Sequence, residues 1–229
     1  KACFLDKANP VKEWKTIYGK IGEYKNKLNN LNIKSLRVTG VDVDLKINMG
    51  EKRKWVGGSG RNVPSFEIFT SPDWRGAEGW AKFNQPLYSY GNLIEGIELE
   101  FKDGKAIKAK AKKNEKVLLE MIKAENADRI GEFSLTDKRF SRITKFMGET
   151  LYDENAGGPN GNFHIALGSS YHDAFDGDMA GKSKEHWQNL GFNDSAIHTD
   201  LVSTSSRTVT ATLKDGTEKI IYKNGQFCI

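Results

Sequence analysis

After Asn29-Asn30 the hydrophobic period of this chain changes from about 3.6 residues to two, and that change most limits what it can become. Upstream, Val11, Trp14, Ile17, Tyr18, Ile21, Tyr24, Leu28 and Leu31 recur at three- and four-residue steps. They predict one face of an amphipathic helix over residues 11–31, with Pro10 suited to its start. Downstream, Leu36 and Val38, then Val41, Val43, Leu45 and Ile47, face one way against Asp42, Asp44 and Lys46, a half-buried strand pair joined near Thr39-Gly40. Gly-rich punctuation at 57–60 reads as a loop, and 66–70 as a short strand. Ile97, Leu99 and Phe101 alternate up to Asp103-Gly104, a hairpin dipeptide, and Ile107, Ala109 and Ala111 continue on the return strand. Asn114 is placed to cap a helix reaching Ala124, with Val117, Leu118, Met121 and Ile122 inward. A last hairpin pairs 208–212 with 218–222 around Asp215-Gly216. Strands without regular helical crossovers predict an α+β fold: one strand-rich domain with a mixed or antiparallel sheet and a few helices.

The chain's 229 residues are enough to bury a substantial core. Its 35 basic and 30 acidic side chains leave a charge of +5 but are interleaved, as in Glu51-Lys52-Arg53-Lys54. Only Lys105, Lys108, Lys110, Lys112, Lys113 and Lys116 form a concentrated basic run. No aromatic residues interleave with it, so a solvated strand face leading into a helix explains it better than a phosphate-binding stripe, and no nucleic-acid partner is expected. No apolar run approaches the roughly 18 residues of a membrane span. The two cysteines, Cys3 and Cys228, lie at opposite ends without CxxC spacing, which argues against a disulfide framework and fits a reduced, cytoplasmic setting. A start at Lys1-Ala2-Cys3-Phe4, with no initiator Met and no signal core, reads as a piece of something longer.

Four histidines are present. His198-Thr199-Asp200 would place an imidazole and a carboxylate on one face of a strand, about 7 Å apart at Cα, within reach of one cation. Alone, the triplet reads first as an ordinary surface pair. Between Glu154 and His164 runs a Gly/Asn-rich turn with no packing value of its own; a surface loop with an incidental acid and a shared metal ion are equally open readings. Glu67 and Glu132 are set among apolar neighbours. Each either faces solvent or, if it faces inward, needs a cation, because an unpaired buried charge costs several kcal/mol. His186 shares a predicted helix with Lys182, Lys184 and Glu185 and is expected to be exposed; His172 has no motif partner.

These segments, taken together, resemble a known family. Asn62-Val63-Pro64-Ser65-Phe66-Glu67-Ile68-Phe69-Thr70-Ser71-Pro72, Gly131-Glu132, Tyr152-Asp153-Glu154-Asn155-Ala156, His164-Ile165-Ala166-Leu167-Gly168 and Asn193-Asp194-Ser195-Ala196-Ile197-His198-Thr199-Asp200 look like the motifs of the thermophilic-type metallo-aminopeptidases, the aminopeptidase T and aminopeptidase S type, in the same order. The likeness runs over nearly the whole chain. It implies a dinuclear metal site in a cytoplasmic exopeptidase, a homodimer acting on peptides with a free N-terminus. Carried over position by position, it implies Glu67, Glu132, Glu154, His164, His198 and Asp200 as metal ligands. Glu132 would also serve as the base, and Tyr171 matches a tyrosine near the reacting centre.

Two departures stand out: Phe66 where many relatives have Gly, and a Glu154-to-His164 connection longer than in several. Relatives are also nearly twice as long and carry an N-terminal α/β domain not found here, so residues 1–229 correspond to the catalytic domain alone. Four carboxylates and two imidazoles without thiolates suit zinc, cobalt or manganese, and two dications would neutralise the four negative charges. Two other readings stay open. One is a fragment that keeps fold and ions but lacks a complete substrate cavity. The other is a calcium-binding β-rich module, against which the imidazoles count.

Overall fold

The first helix begins where the sequence supplies a cap. In the computed structural model, which describes residues 1–229, α1 spans Pro10–Asn29, the Asn9 side chain accepts from the Lys12 amide at 3.0 Å, and Pro occupies the first turn. Its bounds are tighter than the periodicity suggests. The Asn30 amide closes the last turn on Asn26 and Leu28, and Asn32 turns the chain at a φ of 49°, leaving Leu31 outside the helix. Ile17, Ile21 and Leu28 are buried, whereas Val11 is exposed.

The remaining elements are mostly strands: β1 (Ile33–Gly40), β2 (Val43–Asn48), β3 (Glu67–Thr70), β4 (Asp73–Phe83), β5 (Leu87–Ser89), β6 (Asn92–Ile94), β7 (Ile97–Lys102) and β8 (Lys105–Lys110). Then come α2 (Glu115–Ile122), β9 (Ile130–Thr136), α3 (Thr150–Asp153), β10 (Asn162–Gly168) and α4 (Lys184–Asn189). The chain closes with β11 (His198–Ser203), β12 (Arg207–Leu213), β13 (Glu218–Lys223) and β14 (Gln226–Phe227). An eight-stranded sheet of order β14-β13-β12-β1-β2-β4-β7-β8 and a four-stranded sheet of order β11-β10-β9-β3 are both antiparallel throughout, so the fold is α+β. No helix is long and apolar enough to cross a membrane.

Several local expectations need correction. The β1–β2 connection is Val41-Asp42, not Thr39-Gly40, so Val41 sits at the turn, 89% exposed, while Val43, Leu45 and Ile47 keep the inward face. On β8 a register shift opposite Glu100 and Phe101 leaves Ile107 unpaired and exposed, and Ala106 and Ala109 take the inward positions. Asn114 adopts a left-handed conformation and does not cap α2; its amide donates instead to the Leu93 carbonyl.

One core joins both sheets and α1. Leu36, Val38, Leu45 and Ile47 of the larger sheet share it with Ile68, Phe133, Leu135, Phe163, Ile165 and Leu201 of the smaller one. Phe163 stacks on Phe83 with ring centroids 6.0 Å apart, one point at which the sheets meet. Along β9 and β10 the residues turned to this core are Phe133, Leu135, Phe163, Ile165 and Leu167. Strand geometry therefore sends Glu132, Ser134, Asn162, His164 and Ala166 to the opposite face. That opposite face holds the chemistry.

Candidate metal centre

Neighbouring strands of the small sheet each bring polar side chains to the same face. Across β9, β10 and β11 the residues Glu132, Ala166 and Asp200 lie in one row; Ser134, His164 and Val202 form the next, and Ser134 also pairs with Phe69 on β3. Opposed residues of antiparallel strands project to one side, so Glu67, Glu132, His164, His198 and Asp200 converge. Ala166, fully buried between Glu132 and Asp200, contributes only a methyl group and leaves room at the centre.

Glu154 arrives from elsewhere. The Asp153 carboxylate accepts the backbone amides of Met147, Gly148 and Glu149 at 2.6, 3.0 and 3.0 Å, and this tight turn starts the single turn of α3. Glu154 is the C-cap of α3, and its carbonyl is held by the Asn162 amide at 2.8 Å. All six residues implied by the sequence motifs therefore lie at one locus, and Tyr171 stands beside them with its ring 4.6 Å from that of His198.

Glu132 occupies the middle of the cluster. Its Oε1 is 3.3 Å from His164 Nε2 and its Oε2 is 3.3 Å from His198 Nε2. His164 Nε2 also faces Glu67 Oε2 at 3.3 Å, and His198 Nε2 faces Asp200 Oδ1 at 3.4 Å. Two triads result, Glu67-Glu132-His164 and Glu132-His198-Asp200, and in each the donor atoms lie within 4.8 Å of one another. Glu132 belongs to both.

The supporting contacts fix which atoms point inward. His198 Nδ1 donates to the Ser169 carbonyl at 2.8 Å, so Nε2 is the nitrogen presented to the cluster. The Ser134 hydroxyl donates to Glu67 Oε2 at 2.6 Å. Nδ1 of His164 is buried without a partner, leaving the carboxylates as the close polar neighbours of that ring. Gly131 lets the chain pass: a Cβ there would lie 2.3 Å from the Ser169 carbonyl oxygen, the acceptor of His198.

Electrostatics show the strain of holding these groups together. Burial, then the charges of Glu67 and Asp200, pushes the Glu154 carboxyl up to about 9. Burial also raises Glu67, partly offset by its contact with His164. For His198 burial acts downward, but Asp200 and Glu132 outweigh it and lift the imidazole to about 11; His164 is raised likewise by Glu132 and Glu67. Asp200 is lowered, because its bond to His198 overcomes its burial. Carboxylates and imidazoles sharing one buried locus make an oxygen and nitrogen donor set of the kind that holds divalent metal.

A cavity of about 760 Å³ opens onto the cluster. Five of the six residues line it, His164 alone being sealed beneath, together with Val56, Phe69, Tyr171, Lys25 and Arg61. Phe69 meets Tyr171 edge-on at 5.7 Å, and the Tyr171 amide donates to Ser71 Oγ at 2.8 Å. Residues 25, 56, 61 and 134 carry no motif signal of their own; Ser134 is brought in by the strand register, and the other three by α1 and the segment before β3. His172 and His186 lie apart, in a satellite cluster with Trp187, Phe175 and Phe192. His186 is half-buried there rather than exposed, because its ring packs edge-on against Phe175.

A sequence model of the family described as thermophilic metalloprotease (M29) matches residues 1–227. Aminopeptidase PepS of Streptococcus thermophilus is 30% identical over 244 residues, covering 100% of this chain and 57% of that protein. Aminopeptidase T of Thermus thermophilus is 30% identical over 242 residues with the same coverage. The structure of wild-type AmpT from Thermus thermophilus superposes with a TM-score of 0.85 at 29% identity, over 97% of this chain and 57% of that one. A 2,5-dihydroxypyridine dioxygenase from Pseudomonas putida, at 14% identity and a TM-score of 0.59 over 96% of this chain and 62% of that one, shares the fold alone. The chain thus spans a little over half the length of the curated relatives it matches.

Proposed function

Because this chain belongs to the thermophilic metalloprotease family M29, we propose that residues 1–229 are the catalytic portion of a metal-dependent aminopeptidase that hydrolyses the N-terminal peptide bond of peptides. The observation that carries this reading is the position of Glu132, with one carboxylate oxygen 3.3 Å from each histidine and a triad on either side. A carboxylate shared by two triads supports a dinuclear reading. The proposed ligands are Glu67, Glu132, Glu154, His164, His198 and Asp200, and the proposed ions are zinc, cobalt or manganese, as a thiolate-free oxygen and nitrogen set favours. When bound, such ions supply the acidity that lets water attack at neutral pH and the polarisation of the scissile carbonyl.

The chain's own groups do the rest. Glu132 takes the proton released by the attacking water and delivers it to the departing nitrogen. Tyr171 donates a hydrogen bond to the developing oxyanion; burial and then the charges of Glu132 and Asp200 raise its phenol, which therefore keeps its proton at neutral pH. Phe69 holds the Tyr171 ring edge-on and His198 packs beside it, which fixes the phenol's direction. Unpaired Cys3 and Cys228 accord with a reducing, cytoplasmic setting, and the assembly implied by the motif resemblance is a homodimer.

The test is hydrolysis of an amino-acid p-nitroanilide by the chain after loading with zinc, cobalt or manganese, alongside elemental analysis. Activity with two ions per chain supports the proposal; calcium in place of these metals, or no metal at all, refutes it. Two ions without turnover would instead select a fold that keeps the metals but lacks a complete substrate cavity.

A further inference from the structure

Asn155 is fully buried, and its side-chain amide is used at both ends. Oδ1 accepts the Phe66 amide at 2.6 Å, one peptide unit before Glu67. Nδ2 donates to the Leu151 carbonyl in α3 at 3.0 Å and to Glu154 Oε1 at 3.2 Å. The residue's own carbonyl is held by Ser141 Oγ at 2.5 Å, and the Ser141 hydroxyl also accepts the Ile143 amide at 3.1 Å. One side chain therefore ties the entry of β3 to the end of α3. These are the two elements that deliver Glu67 and Glu154, and no backbone ladder joins them.

We propose that Asn155 is a positioning residue: its amide sets the separation of the Glu67 and Glu154 carboxylates and fixes which Glu154 oxygen is free for the cluster, and so sets the affinity for the cation that Glu154 helps to hold. The chemistry is that of a ligand oriented from behind. A carboxylate with one oxygen engaged by an amide donor presents the other in a defined direction, and loss of such a partner typically weakens a site by about 10- to 100-fold. Asn is required because no other residue of that size accepts from one backbone and donates to a carboxylate. Asp in its place would keep the acceptor for Phe66 but would turn a second anion toward Glu154.

This inference rests on the dinuclear reading above, and calorimetric titration of zinc into chelator-stripped protein tells the two apart. In the wild type two equivalents should bind. In Asn155→Asp one of them should weaken by about 10- to 100-fold while the other stays within about threefold. In Glu154→Ala the same equivalent should weaken, and adding Asn155→Asp to it should change the titration little further, since the two act through one group. If Asn155→Asp does not fold, Asn155→Gln, which keeps both functional groups on a longer stem, is read by the same criteria. Wild-type affinities in the variant, equal weakening of both equivalents, or full additivity with Glu154→Ala would overturn the role of Asn155 alone. A wild type that binds no zinc would overturn both inferences.

Discussion

Glu132 lies between two imidazoles that are themselves separated by its width, and its removal should not resemble the removal of either histidine. Glu132→Ala takes a donor from both triads and is expected to abolish uptake of both ions; His198→Ala should cost one and leave the Glu67-Glu132-His164 triad occupied. Elemental analysis of the two variants after loading and gel filtration distinguishes these outcomes. Tyr171 stands outside the ligand atoms, 45% exposed, and lines the cavity. Tyr171→Phe should therefore lower turnover on a p-nitroanilide by about 10²- to 10³-fold, the usual loss when one oxyanion donor is removed, with metal content unchanged. Turnover equal to the wild type would assign Tyr171 a packing role.

Among the elements, β9 and β10 carry Glu132 and His164 at the middle of the site and are the hardest to read from sequence. Every residue of both strands is buried, so the polar side of their alternation does not face water, and Glu132-Phe133-Ser134 or Asn162-Phe163-His164 looks like an acid or histidine in a loop. By contrast α1, β1, β2, β7 and the β12–β13 hairpin were legible because one face of each meets solvent and the pattern stands out. The long strand β4 carries no clear alternation, because glycines at 76 and 79 interrupt it. Each admits a close neighbour: a Cβ at Gly79 would lie 2.1 Å from the Asp44 carbonyl oxygen. The same steric logic yields a test at Gly131. Gly131→Ala would push on the Ser169 carbonyl that orients His198, so it should lower stability by about 1–3 kcal/mol in urea unfolding and weaken ion binding at the His198 triad. An alanine variant with unchanged stability and binding would show that the strand can shift to absorb the methyl group.

For the molecule as a whole, the cluster ties stability to pH and to metal. Without ions, Glu67 and Glu154 keep protons that the unfolded chain gives up above its value of 4.5, and Glu154 does so until about 9. His164 and His198 are likewise raised above 6.5, so their contribution is full below that value and is lost as pH rises toward the folded one. Asp200 works in the opposite sense, its lowered value contributing above 3.8, and adds no change in this window. In chelator the melting temperature should therefore fall between pH 5.5 and 8.5, by at least about 2–4 °C. Saturating divalent cation should remove the fall, because bound ions replace the protons. A melting temperature in chelator that holds or climbs over that range would contradict this balance of charges.

At this scale the sequence is unevenly legible too. Strand-rich architecture followed from patterning, but the meeting of Glu67, Glu154 and His198, which are far apart in sequence, came only from motif resemblance, since no local spacing encodes it. Crystals of the chain grown with zinc, with anomalous data collected at the zinc edge, address that convergence most directly. Two peaks about 3.5–4 Å apart, one on each side of the Glu132 carboxylate, are the expected result. A cluster with no peak, or zinc bound only at other residues, would contradict the metal-centre account.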